Sequence, residues 1–83
     1  MGKREKVIDM ISEYLGKHLL LLARLGKNRD NEGLLFKFIF LDTLKEQLED
    51  ADEPQIDDLA ITAFAAMEII TEEVQEYLEN KKR

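Results

Sequence analysis

The stretch GLLFKFIFLDTLKEQL, residues 33–48, decides the fold of this chain. Its first half contains FKFIF, residues 36–40, whose aromatic and branched side chains favour a β-strand. Its second half places Leu41, Leu44 and Leu48 at steps of three and four residues, the spacing of a helix with one buried face. Because the sequence offers no second strand candidate to pair with residues 36–40, the whole stretch is predicted to be one helix.

Two further segments repeat this helical spacing, one on each side of the first. The three segments together predict helices at about residues 3–25, 32–50 and 53–80. Their apolar stripes comprise Val7, Ile11, Tyr14, His18, Leu21 and Leu25, then Leu34, Phe38, Leu41, Leu44 and Leu48, then Ile56, Ala60, Ala63, Met67, Ile70, Val74 and Tyr77. A chain of 83 residues makes one domain at most, so we expect a single all-α domain over residues 1–83.

Polar residues between the stripes predict where the helices begin and end. Gly26 directly follows the first stripe and suits a helix C-cap, where a left-handed residue is favoured. Asp30 or Asn31 can cap the second helix, and Asp52 with Gln55 has the pattern of a capping box for the third. Because both loops are short, we expect an up-down-up three-helix bundle.

The charge of the chain is negative and unevenly distributed. The net charge is −6, which argues against a nucleic-acid partner. Residues 1–41 contain eight Lys/Arg and five Asp/Glu, whereas residues 42–83 contain four and thirteen. The first half is therefore basic and the second half strongly acidic.

In an up-down-up bundle these charges gather at opposite ends. The basic end is expected to hold Arg24, Lys27, Arg29, Lys81, Lys82 and Arg83, and the acidic end Asp42, Glu46, Glu49, Asp50, Asp52, Glu53, Asp57 and Asp58, near Lys3, Arg4 and Lys6. Compensation of the helix dipoles is the interpretation we favour, since cations suit helix C-termini and anions suit N-termini. The alternative is that the acidic end steers a basic partner.

The location predicted from the sequence is the cytoplasm. The chain has no cysteine, which fits a reducing compartment. The apolar residues after the charged start are interrupted by Asp9 and Glu13, so the unbroken apolar core of a signal peptide is missing. No stretch approaches the roughly 20 apolar residues that a membrane span needs, so no membrane partner is expected.

Several large apolar residues fall on the far side of each helix from its stripe. They are Leu20 on the first helix, Leu35, Phe36 and Ile39 on the second, and Ile61 and Ile69, with Ala65 between them, on the third. Exposing so many is unusual for a small monomer, and a symmetric homodimer is the commonest remedy. We therefore predict an interface for self-association or for a partner. The alternative is that the second helix lies deeper in the bundle than this arrangement implies.

The residues that catalysis or metal binding would need are missing or isolated. Ser12 has no base at a meaningful spacing, cysteine is absent, and no Gly-rich phosphate loop is present. His18 is the only histidine, and no Glu-x-x-His pair of a di-metal bundle accompanies it. We therefore predict a protein that is not an enzyme, with no catalytic, cofactor-binding or metal-binding residues.

His18 has two interpretations. The run from Gly16-Lys17-His18 to Leu25-Gly26 resembles the motif of helical histidine-phosphotransfer domains, and the resemblance implies a phosphate-accepting His18. The interpretation we favour is structural, because His18 shares its stripe with Ile11 and would hydrogen-bond a polar neighbour or water.

The function predicted from these observations is a small helical interaction module. It is expected to self-associate as a homodimer and to bind or regulate a larger protein. The first alternative is an inhibitor of the immunity or antitoxin type that uses its acidic end, and the second is phosphotransfer through His18.

Overall fold

The computed structural model describes residues 2–81, and helices account for nearly all of them. The four helices are α1 (Lys3–Lys17), α2 (Leu19–Asn28), α3 (Glu32–Asp50) and α4 (Glu53–Lys81). No β-strand occurs in this range. The all-α prediction is confirmed, and α3 contains the whole stretch of residues 33–48 as one helix. Met1, Lys82 and Arg83 lie outside the described residues, so the expected places of Lys82 and Arg83 at the basic end are not tested.

The prediction of a single helix over residues 3–25 is wrong, because the chain forms two helices that meet at His18. The backbone N–H of His18 would normally donate to the carbonyl of Tyr14, four residues earlier. The imidazole Nδ1 of His18 lies 2.8 Å from that oxygen instead. The N–H donates to Leu15 at 3.1 Å, which tightens the last turn of α1. One side chain therefore turns three expected helices into four.

The end of the second helix also differs from the prediction. Gly26 lies inside α2, which continues to Asn28. The left-handed residue is Arg29, with φ of 52° and ψ of 32°, and its N–H donates to the carbonyl of Leu25 at 3.0 Å. The predicted glycine cap is therefore wrong, since the helix runs past Gly26 and a non-glycine residue adopts the cap conformation.

The starts of α3 and α4 follow the predicted capping chemistry. The Asn31 side chain accepts a hydrogen bond from the Leu34 N–H at 3.1 Å. Asp52 and Gln55 form the reciprocal capping box, because each backbone N–H donates to the other side chain, at 3.1 and 3.3 Å. Both caps are confirmed, the first in the short turn between α2 and α3 and the second in the short turn between α3 and α4.

Contacts between distant residues give the direction of the helices. Arg4, at the start of α1, donates to the carbonyl oxygens of Leu48 and Ala51 at the end of α3. Lys3 forms an ion pair with Asp57 at 2.6 Å, so the starts of α1 and α4 lie together. The start of α1 therefore lies beside the end of α3 and the start of α4, in a helical bundle that measures 46 × 20 × 20 Å.

The core lies between α3 and its neighbours, since α3 packs against α4, α1 and α2. The buried residues are Val7, Ile11, Leu25, Leu34, Phe38, Leu41, Leu44, Leu48, Ala51, Ile56, Ala60, Ala63, Ile70, Val74 and Tyr77. The predicted stripe of α3 is buried along its whole length. The stripe of the first segment is only half-buried between Tyr14 and Leu22, on either side of the helix break.

Candidate interaction surfaces

Five of the six predicted interface residues are exposed. Leu20 is 89% exposed, Ile61 67% and Phe36 61%, while Ile69 and Ile39 are about half exposed. Leu35 is the exception, because it is partly buried and packs against the core. Its helix, α3, also packs against α2. The alternative that the second helix lies deeper in the bundle therefore accounts for Leu35 but not for the other five residues.

Ile39 lies in an apolar groove beside the helix break. This groove has a volume of about 510 Å³. Its lining residues are Ser12, Leu15, Gly16, Leu19, Leu22, Phe38, Ile39, Asp42 and Lys45. We call this surface the α2–α3 face and include in it Leu20, which follows the lining residue Leu19 in α2. The lining includes both an acidic and a basic side chain, Asp42 and Lys45, whose charged groups are 3.9 Å apart.

Ile61 and Ile69 lie in a second groove, formed by the other side of α3 and the middle of α4. This α3–α4 groove has a volume of about 440 Å³ and is almost wholly apolar. Its lining residues are Lys37, Phe40, Ile61, Thr62, Ala65, Ala66, Ile69 and Ile70. The six predicted residues thus do not form one continuous interface. The tertiary arrangement places Ile39 in one groove and Ile61 and Ile69 in another, on opposite sides of α3, and Phe36 is not among the lining residues of either groove.

The sequence reasoning missed exposed residues that belong to these surfaces. Phe40 forms a wall of the α3–α4 groove, one turn after Phe36 on the same helix. Its spacing from Phe36 could have identified Phe40 as an exposed residue. Leu19, which was not predicted as an interface residue, is exposed on the α2–α3 face.

A third apolar hollow lies between α1 and α4 and was not predicted. Its lining residues are Lys3, Lys6, Val7, Met10, Asp57, Ala60, Ile61 and Phe64. Met10 and Phe64 are exposed there. The ion pair of Lys3 with Asp57 closes one edge of the hollow.

His18 is half-buried at the junction of α1 and α2. Because the Tyr14 carbonyl can only accept, the imidazole Nδ1 carries the hydrogen and the neutral ring has its lone pair on Nε2. The ring centroid lies 4.5 Å from that of Tyr14 and 5.4 Å from that of Phe38. His18 thus shapes the helix break and packs on the core, while phosphotransfer through it stays a prediction.

Asp30 joins the loop after α2 to the end of α4. Its carboxylate accepts hydrogen bonds from the Tyr77 hydroxyl at 2.9 Å and from the Lys81 ammonium at 2.6 Å. The hydrogen bond from Lys81, followed by that from Tyr77, holds the pKa of Asp30 below its usual value. The same hydrogen bond raises the pKa of Lys81. Burial, and then the hydrogen bond to Asp30, raise the pKa of the Tyr77 hydroxyl.

The start of α1 supplies cations to the acidic end of the bundle. The Arg4 guanidinium bonds carbonyl groups at the C-terminus of α3, which helix geometry leaves without internal partners. Lys3 pairs with Asp57 in the first turns of α4. Arg4 thus places a cation at the C-terminus of α3, while the last turn of α3 itself has no basic residue and contains Glu49 and Asp50.

In residues 2–81, no group of three or more His, Cys, Asp or Glu side chains is placed to hold a metal ion. Within the same range, no helix combines the length and apolar character required to cross a membrane. Comparison with protein-family models, with curated proteins and with solved structures gives no match for this chain.

Proposed function

We propose that this protein is a non-enzymatic helical interaction module that forms a homodimer and binds a larger protein. The observation that carries the proposal is the number of large apolar side chains that the fold leaves exposed. They are Met10, Leu19, Leu20, Phe36, Ile39, Phe40, Ile61, Phe64, Ile69 and Leu78. Apolar surface of this extent, gathered in grooves and rimmed by charges, is typical of protein–protein contacts.

The α2–α3 face is the surface we assign to self-association. A twofold interface brings the same patch of both copies together, so the patch must be compatible with itself. The edge of this face carries both Asp42 and Lys45, so two copies can align opposite charges. Burying the exposed half of Ile39 contributes roughly 1 kcal/mol, since full burial of a large apolar side chain contributes about 1.5–3 kcal/mol.

The α3–α4 groove is the surface we assign to the larger partner. It lies on the opposite side of α3 from the α2–α3 face, so both surfaces can be occupied at once. Ala65 and Ala66 leave room for large side chains of a partner between Ile61 and Ile69. Phe40, which forms the opposite wall, offers an aromatic contact of the kind enriched in interfaces.

The test of self-association is the mass of the chain in solution. Light scattering coupled to size exclusion should give about twice the 9.7 kDa monomer mass for the wild type. Leu20→Glu and Ile39→Glu should each give the monomer mass, because both place a charge in the dimer contact. Leu20 is so exposed that its replacement should leave the helical circular dichroism unchanged.

Leu78→Glu is the matched control, since it places the same charge at an exposed apolar residue outside the α2–α3 face. It should keep the dimer mass. A wild-type chain that is monomeric at the highest attainable concentration would refute self-association. A monomeric Leu78→Glu together with a dimeric Leu20→Glu would move the interface elsewhere.

An inhibitor of the immunity or antitoxin type is the second candidate. The observation that favours it is the charge of α4, which carries eight Asp/Glu and one Lys between Glu53 and Lys81. An acidic helix of this kind can occlude a basic active surface of a partner. An effector identified by capture on the wild-type chain should lose activity in the complex under this candidate, and should keep it if the chain is only a binding module.

A further inference from the structure

We propose that the α3–α4 groove binds a basic amphipathic helix of a partner protein. This inference rests on the proposed function, because it names the partner chemistry of the groove assigned above. It is based on two properties of the groove. The groove is apolar in its middle, and its two ends are acidic.

The α3–α4 groove is the middle part of a longer furrow between these two helices. Towards the α3–α4 turn it is followed by a hollow that contains Gln47, Asp50, Gln55 and Asp58. Towards the other end of the bundle it is followed by a hollow that contains Lys37, Glu73, Glu76 and Lys81. Three hollows therefore follow one another along the same pair of helices, and an extended occupant can contact all of them.

One face of α4 shows the same order of apolar and acidic residues. Along this face follow Asp58, Ile61, Ala65, Ile69, Glu72 and Glu76, at steps of three or four residues. Ile61, Ala65 and Ile69 form the apolar middle, and acidic residues lie beyond both ends. Asp58 and Glu76 are separated by about 27 Å at 1.5 Å per residue. That is the length of a partner helix of about five turns.

The opposite wall of the furrow changes in the same way along α3. Phe40, in the first half of α3, lines the apolar middle. Gln47 and Asp50 follow near the α3–α4 turn. Both walls therefore present apolar side chains in the middle and polar or acidic side chains towards the turn.

The lysines in the furrow are already engaged within the chain. Lys37 forms an ion pair with Glu73, and Lys81 forms one with Asp30. Over the two helices, α3 has five acidic and two basic residues and α4 has eight and one, a net charge of −10. A cationic occupant gains from this field, whereas anionic nucleic acid or an anionic lipid surface is repelled.

A second copy of this chain is disfavoured as the occupant by the same charges. If two α3–α4 grooves met in a parallel arrangement, each acidic end would face the same acidic end of the other copy. In an antiparallel arrangement centred on Ala65, Asp58 of one copy would approach the acidic residues beyond Ile69 of the other. Both arrangements juxtapose like charges, which costs binding energy. The α2–α3 face, with its mixed charges, does not have this problem.

The complementary partner can be described by its residue pattern. Large aliphatic or aromatic side chains at helical spacing would fill the middle of the groove, one on each side of Ala65. Lys or Arg would lie about two turns beyond them in both directions, opposite Asp58 and Glu76. This is a helix that is apolar along its central stripe and basic at both ends.

The test uses the full chain and two synthetic peptides of about 20 residues. The first has leucines at helical spacing in its middle and lysines in its first and last turns. The second is identical except that glutamates replace the lysines. By fluorescence anisotropy, the lysine peptide should bind the wild type at least about tenfold more tightly than the glutamate peptide. Added salt should weaken this preference.

Two variants locate the binding site. Ala65→Glu should weaken binding of the lysine peptide at least about tenfold, because it fills the groove and places a charge in its apolar middle. Gln75→Glu is the control, since it adds the same charge to an exposed position of α4 outside the groove lining and should bind as the wild type does. Unchanged circular dichroism shows that both variants fold.

The outcomes separate this inference from the proposed function. Equal binding of both peptides, or absence of binding, overturns the inference even if the wild type is a dimer. Loss of the dimer mass in Ala65→Glu but not in Leu20→Glu also overturns it, because a second copy would then occupy the groove. A monomeric wild type that binds the lysine peptide refutes only the proposed self-association.

Discussion

Arg29 holds an unusual backbone conformation at the point where α2 meets the loop before α3. Its φ of 52° lies in the left-handed region, and among the described residues it is the only non-glycine residue with a positive φ. The side chain has little to offset this strain, since it is largely exposed and lies 4.0 Å from Glu32. The conformation is imposed by the loop, which must place Asp30 beside α4 and Asn31 at the start of α3.

Replacing Arg29 by glycine should stabilise the protein. The left-handed conformation costs a side-chain-bearing residue about 1–2 kcal/mol, whereas glycine costs about 0.5–1 kcal/mol through the entropy of the unfolded chain. We expect the free energy of unfolding in urea to rise by roughly 0.5–1 kcal/mol. Arg29→Ala is the control, because it removes the Glu32 contact but keeps the strain. Equal stability of the two variants would contradict the role of strain.

The helices illustrate how local hydrogen bonds set the limits of each element. In α1 and α2 a side chain takes the acceptor that the backbone would use, so the helix breaks at His18. At the start of α4 side chains help the helix to form, because Asp52 and Gln55 supply acceptors for backbone N–H groups that have no acceptor within the helix. The Asp52 carbonyl also accepts the first helical hydrogen bond, from Ile56 at 3.0 Å. Asp52 is therefore the N-cap of the longest helix.

Removing this cap should weaken the fold measurably. Asp52→Ala leaves N–H groups of the first turn without their side-chain acceptor, so we expect a loss of about 1 kcal/mol in the free energy of unfolding. For a domain of this size that lowers the melting temperature by about 4–8 °C. Asp52→Asn is the matched control, since asparagine caps about as well and removes only the charge. If Asp52→Asn loses as much, the charge and not the cap is responsible.

Across the whole molecule, the bundle is held at one end by a polar contact between residues far apart in sequence. Asp30 and Tyr77 are 47 positions apart, and Lys81 completes the cluster. The contact joins the α2–α3 loop to the last turns of α4, which extend beyond the length of α3. Since the pKa of Asp30 is lowered in the folded chain, mainly by Lys81, the stability of the whole bundle is linked to pH.

Asp30→Asn should reduce the acid sensitivity of the fold. Because the folded pKa of Asp30 lies below its unfolded value of about 3.9, its contribution is present above that value and is lost as the pH falls through the folded pKa. The variant should be less stable than the wild type near neutral pH. Its free energy of unfolding, measured in urea, should fall less than that of the wild type as the pH is lowered. Asp9→Asn, at an exposed position of α1, should retain the acid dependence of the wild type. Parallel acid curves for Asp30→Asn and the wild type would contradict this linkage.

The same cluster acts in the opposite direction at alkaline pH. The pKa values of Lys81 and Tyr77 are raised in the folded chain, so their contributions are present below the unfolded values and are lost as the pH rises through the folded ones.

The sequence by itself determined the helical class, the stripe of α3 and the capping box of α4, and it limited the cap of α3 to Asp30 or Asn31. Each depends on residues within one or two turns, such as the spacing of Leu41, Leu44 and Leu48 or the pair of Asp52 and Gln55. It also identified five exposed apolar residues, because a projection around one helix needs no knowledge of its neighbours.

Only the tertiary structure decided how those exposed residues are grouped. Ile39 and Ile61 fall on different surfaces because one groove is formed by α1 and α2 with α3 and the other by α4 with α3. The burial of Leu35 and the pairing of Asp30 with α4 likewise depend on which helix lies alongside. Periodicity gives the direction of a side chain around its own helix, while its neighbours are set by the packing of helices distant in sequence.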